Sequence, residues 1–127
     1  PPCKRILFLD TCHSGGVSQG QVIYDPVHDV VAPEVGTVVF TSCQPREESL
    51  EGSEWKHGAF TYAMLETLRD PHSDTFPLPG GDRQFSQSEL KLGVVDRVKT
   101  LTGDRQHPVL ISPPTLREFS VMQVISE

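Results

Sequence analysis

The feature that most constrains this chain is the run Ile6-Leu7-Phe8-Leu9, apolar throughout and closed by Asp10-Thr11-Cys12-His13-Ser14-Gly15-Gly16. A strand with apolar neighbours on both faces needs no alternation, so the run predicts a central strand of an α/β sheet from about Lys4 to Leu9. Open α/β sheets gather ligands and catalytic groups just beyond the carboxyl ends of their strands, and Cys12 stands there. A lone cysteine is ordinarily a small buried hydrophobe. Asp-x-Cys-x-Ser-Gly directly after a buried strand instead sets an acid, a thiol and a flexible turn at one edge. Cysteine attacks as thiolate, and amides presented by a sharp turn at Gly15 and Gly16 favour that form.

The rest of the chain reads as one partial α/β domain over 1–127. A strand and loop over 4–16 carry the nucleophile. Residues 17–36, with Gly, Ser, Gln, Asp and two prolines and no sustained period, predict a long flexible loop. Thr37 to Ser42 is rich in β-formers and predicts a second buried strand. Cys43 to Lys56 is polar and acidic and predicts a loop at the same edge. Phe60, Met64 and Leu68 recur every four residues, predicting a helix over about 58–70 that Pro71 ends. Pro77, Pro79, Gly80 and Gly81 predict a turn-rich connection over 71–85. Ser86 and Glu89 form a capping-box pair, and Leu90, Val94 and Val98 mark the buried face of a helix over 87–102 that Gly103 stops. Val109 to Ile111 and about 118–125 predict short strands, the last closing one edge of the sheet.

Several function classes are excluded by composition. A net charge of -6 with no basic stripe disfavours nucleic acid as a partner. No apolar run approaches the roughly 18 to 20 residues a bilayer requires, and no signal-peptide pattern opens the chain. Three cysteines, Cys3, Cys12 and Cys43, make no disulfide framework and favour a reducing, cytoplasmic setting. Cys12 and His13 lack zinc-ligand spacing, and Asp25, Asp29 and Glu34 are not spaced as a calcium cage, so no metal or other cofactor is expected.

Taken in order, Asp10-Thr11-Cys12-His13-Ser14-Gly15, Thr41-Ser42-Cys43-Gln44-Pro45-Arg46-Glu47-Glu48, Lys56-His57-Gly58-Ala59-Phe60-Thr61-Tyr62-Ala63, Phe85-Ser86-Gln87-Ser88-Glu89-Leu90 and Gly103-Asp104-Arg105-Gln106-His107-Pro108 resemble the bacterial caspase-like cysteine peptidases of clan CD, peptidase family C14. The nucleophile string is similar to the metacaspase and orthocaspase form rather than to the Gln-Ala-Cys of animal caspases. The resemblance implies a three-layer α/β/α sandwich with a mostly parallel sheet, here without its N-terminal strands and helices. It implies peptide-bond hydrolysis through a thioester on Cys12, whose own amide is one oxyanion donor. Some relatives need calcium.

The resemblance also places the catalytic histidine roughly 50 residues before the cysteine, whereas eleven residues precede Cys12. The general base is therefore expected upstream of this chain, and the chain alone is expected to be inactive. His13 is adjacent to Cys12 and points away from it on extended chain. Asp10, two residues before Cys12, shares its side of the strand, where a carboxylate can pair with a basic side chain. In metacaspase-like relatives the matching aspartate receives Arg or Lys; a solvated strand-end aspartate is the plain alternative. Ser42, Glu47 and Glu48 are further candidates for the same pocket.

The expected partners are a polypeptide cut after Arg or Lys, and the missing N-terminal part of the domain or a second chain covering the 4–9 strand. No Lys or Arg lies between Cys12 and Cys43, so self-cleavage after a basic residue is not expected in that loop. The alternative to an endopeptidase is a non-catalytic caspase-like module that keeps the fold, lacks the base and acts as a regulatory or interaction partner.

Overall fold

A computed structural model describes residues 4–10, 36–44, 46–70, 76–77, 82–114 and 116–125. In chain order the elements are β1 (Arg5–Leu9), β2 (Thr37–Thr41), β3 (Glu51–Gly52), β4 (His57–Gly58), α1 (Ala59–Arg69), β5 (Phe76–Pro77), β6 (Arg83–Ser86), α2 (Gln87–Thr102), β7 (Val109–Ile111) and β8 (Ser120–Val124). They make a three-stranded sheet in the order β1-β2-β7, a β3-β4 hairpin and a second three-stranded sheet in the order β5-β6-β8. Cys12, Gly15, Gly16 and all but the last residue of the loop expected over 17–36 lie outside the described residues.

β2 is the centre. Val38, Val39 and Phe40 are all buried, as β-branched and aromatic residues on a strand paired on both sides should be. β1 runs parallel to it with Phe8 opposite Phe40, and β7 antiparallel with Leu110 opposite Phe40. Side chains alternate, so Phe8, Phe40 and Leu110 share one face while Leu7, Val39 and Ile111 share the other.

Both described helices pack on the Phe40 face. The Phe60 ring meets Phe40 edge-on at 5.0 Å and 88°. Leu90, Val94 and Val98, four apart along α2, are fully buried in the same cluster with Ala63. Each of these branched side chains contributes about 1.5–3 kcal/mol of transfer free energy. α1 and α2 approach closely at Gly93, where a Cβ would stand 2.4 Å from Thr67 Cγ2.

The helix ends follow their sequence signals. Ser86 Oγ accepts from the Glu89 amide while Glu89 Oε2 accepts from the Ser86 amide, completing the capping box. Gly103 turns the chain out of α2 in the left-handed conformation, at φ 59°. α1 is closed by Arg83, whose guanidinium donates to the Leu68 and Asp70 carbonyls.

Four features depart from expectation. β1 is an edge strand among the described residues rather than a strand covered on both faces, and Leu7 is 40% exposed. With both helices on one face, the described residues form two layers, and β1–β2 is their one parallel pair. β7 follows a helix whose amino end is fed by the second sheet, so no crossover from β2 forces it to run parallel. β8 does not close the central sheet; it pairs with β6, Phe85 opposite Met122, and β7 takes the central edge. The 71–85 connection contains β5 and the start of β6, strands hidden by proline, glycine and the absence of a readable period in Arg83-Gln84-Phe85-Ser86.

Candidate active site

β1 and β2 end at the same edge of the central sheet. The Ser42 amide donates to the Leu9 carbonyl at 2.9 Å, carrying the parallel ladder one step past β2 and bringing Ser42 beside Asp10. Ser49 joins them: its Oγ lies 3.0 Å from Asp10 Oδ1 and 2.9 Å from Ser42 Oγ. A serine has one proton to give and the carboxylate only accepts. Ser49 therefore donates to Asp10 and accepts from Ser42. The other carboxylate oxygen, Oδ2, accepts from Thr61 Oγ1 at 2.5 Å.

Thr61 is the third residue of α1, so the Asp10 carboxylate stands at the amino end of that helix. Its N-cap, Gly58, contributes no side-chain cap. A Cβ on Gly58 would stand 3.0 Å from Asp10 Oδ2, so glycine is what leaves room for the carboxylate. The positive end of the helix favours an anion at this spot. Asp10 is exposed. Each of its oxygens takes one hydroxyl here, and a carboxylate offers about four acceptor sites in all. Capacity remains for a cationic ligand.

Glu47 is differently engaged. Its Oε1 lies 2.6 Å from His107 Nδ1, and its Oε2 accepts from the His107 amide at 2.7 Å and the Gln44 amide at 3.2 Å. His107 Nε2 lies 2.9 Å from Asp104 Oδ1. These bonds, first to Glu47 and then to Asp104, hold His107 above its ordinary pKa. For Glu47, burial acts to raise the pKa, but the bonds from the His107 ring and amide outweigh it and the net direction is down. Glu48 is exposed on the same loop.

The loop carrying Ser42, Glu47 and Ser49 is fastened by Gln106, which is fully buried. Gln106 Nε2 donates to the Ser42 carbonyl and its Oε1 accepts from the Leu50 amide, both at 2.8 Å. Of the sequence candidates the structure thus brings Asp10 and Ser42 together and commits Glu47 to His107. Ser49, Thr61, Gln106 and His107 were not singled out from sequence. The 103–108 stretch drew attention as a whole, and Thr61 opens a predicted helix, but nothing in the sequence marks Ser49. Among the described residues no group of three or more His, Cys, Asp or Glu side chains is arranged to hold a metal ion.

The geometry is that of an α/β domain with a cluster of polar side chains at the carboxyl edge of its central sheet. The family model for the caspase domain, peptidase family C14, matches residues 1–120, and the chain belongs to this family of cysteine peptidases. No curated protein and no solved structure matches it.

Proposed function

We propose that this chain carries the nucleophile and the basic-residue pocket of a bacterial, cytoplasmic, metacaspase-like endopeptidase that cleaves after Arg or Lys. The observation that carries the reading is the Asp10 carboxylate: exposed, two residues before Cys12, and steadied by Ser49 and Thr61 at the amino end of α1. A guanidinium or ammonium of the substrate pairs with it, and the scissile carbonyl then lies toward Cys12. The Cys12 thiolate attacks that carbonyl carbon, the tetrahedral oxyanion rests on backbone amides including that of Cys12, and the C–N bond breaks as the amine leaves with a proton. Water then hydrolyses the thioester and regenerates the thiol.

The proton carrier is a histidine outside these 127 residues. Of the described histidines, His107 has both ring nitrogens on carboxylates and so is already committed. The same reading supplies a second helical layer over the Leu7 and Val39 face, completing a three-layer sandwich, from the N-terminal part of the domain or a partner chain.

The test is hydrolysis of Arg- and Lys-terminated fluorogenic peptides by the full-length protein, with Cys12→Ala beside it. Turnover that is specific for basic residues and vanishes in Cys12→Ala is expected. Turnover that survives the substitution sinks the mechanism. Absence of turnover in the wild-type protein establishes the non-catalytic module instead.

A further inference from the structure

We infer that Gln106 is a positioning residue for recognition of the basic side chain, acting through the 42–50 loop; the inference rests on the function just proposed. Gln106 is fully buried, and a buried amide is costly unless each of its groups is paired. Both are. The Leu50 amide can only donate and the Ser42 carbonyl can only accept, which fixes the orientation of the side-chain amide without ambiguity.

What makes the arrangement more than core satisfaction is where those two partners stand. Ser42 is the residue whose hydroxyl meets Ser49, and Leu50 is the residue after Ser49. Gln106 therefore fixes the backbone on both sides of the Ser42–Ser49 contact, which in turn sets the hydroxyl that Asp10 receives. Its own amide donates to Thr102 Oγ1 at 3.2 Å, so the fastening is anchored on the last turn of α2. The neighbouring His107 holds the middle of the same loop through Glu47. The stretch between Thr41 and Glu51 is thereby fastened near both of its ends by one side chain. The side chain never approaches the substrate; it decides where Ser49 is.

Gln106→Glu keeps the volume and the acceptor for Leu50 but opposes a carboxyl oxygen to the Ser42 carbonyl. Gln106→Leu keeps the bulk and removes both bonds. Both are made in the full-length protein beside Ser49→Ala, with KM and kcat measured on an Arg-terminated fluorogenic peptide. The Asp10 side-chain carboxyl 13C resonance is followed in a Cys12→Ala background. The expected result for Gln106→Glu is a rise in KM of about 10-fold with kcat within about 3-fold, and a displacement of the Asp10 resonance in the same sense as in Ser49→Ala.

A folded Gln106 variant with the Asp10 resonance unmoved, or with kcat lowered and KM unchanged, overturns the inference. Loss of fold in both Gln106 variants while Ser49→Ala behaves as expected also counts against it and makes Gln106 a core residue. If the wild-type protein cleaves no Arg- or Lys-terminated peptide, the functional reading fails, and the Asp10 resonance still decides the role of Gln106.

Discussion

Asp10 and Glu47 stand at the same edge of one sheet, yet their surroundings divide them. Around Asp10 the donors among the described residues are two hydroxyls, one on each oxygen, with the residue exposed. Around Glu47 the donors are two backbone amides and an imidazole that is itself held by a second carboxylate. Hydroxyls steady an anion without bringing a counter-charge to it. The imidazole of His107 answers the charge of Glu47 directly. An acidic residue at this sheet edge is thus defined by whether its counter-charge is already inside the protein.

The comparison is most severely tested by Asp10→Asn. Removing the charge while keeping the shape should lower kcat/KM on Arg-terminated peptides by roughly 100-fold or more, as for the loss of a charge-assisted pair, with little change in the melting temperature. An unchanged kcat/KM would leave Asp10 a solvated strand end. Thr61→Val, which preserves the helix turn and deletes one donor, should raise KM for the same peptide by about 10-fold. A fall in kcat alone would show that Thr61 acts elsewhere.

Glu47→Ala should act on the fold instead. It leaves the His107 and Gln44 amides without their acceptor and is expected to lower the melting temperature by roughly 3–8 °C, while the preference for Arg over uncharged residues persists. Lost preference with unchanged melting would reverse the two roles.

The smallest effect is the pH dependence of the clamp. The pKa of His107 is raised from 6.5, so its contribution is complete below 6.5 and is lost as pH rises through the raised value. The pKa of Glu47 is lowered from 4.5, so its contribution is complete above 4.5 and is lost as pH falls through the lowered value. The difference in melting temperature between the wild-type protein and His107→Gln should therefore be widest between pH 4.5 and 6.5 and narrow on both sides. A difference independent of pH would mean that the imidazole charge has no part in holding the loop.

Much of the frame was legible because it rests on local signals. Thr37 to Thr41 announces a buried strand by composition, and the Ser86 and Glu89 pair and Gly103 mark both ends of α2. β1 reads correctly as a strand but not as an edge, because an apolar run reports what a strand tolerates on its faces and not how many neighbours it pairs with. The partner of β8 was illegible for the same reason: pairing between residues some 40 apart leaves no period in either segment. In the site, Asp10 was marked by its distance from Cys12. Ser49 and Gln106 were not, since a buried hydrogen bond between distant segments depends on two ordinary polar residues meeting, and neither residue type signals the meeting.

The contact at Gly93 acquires a further meaning from the ends of the helices it joins. Thr61 in the first turn of α1 meets Asp10, and α2 runs out into the turn that carries Gln106 to Ser42 and Leu50. The distance between the helix axes at Gly93 and Thr67 is thus a gauge for the spacing of those two points at the sheet edge. A methyl group there would work as a shim, spreading the jaws from behind without touching them.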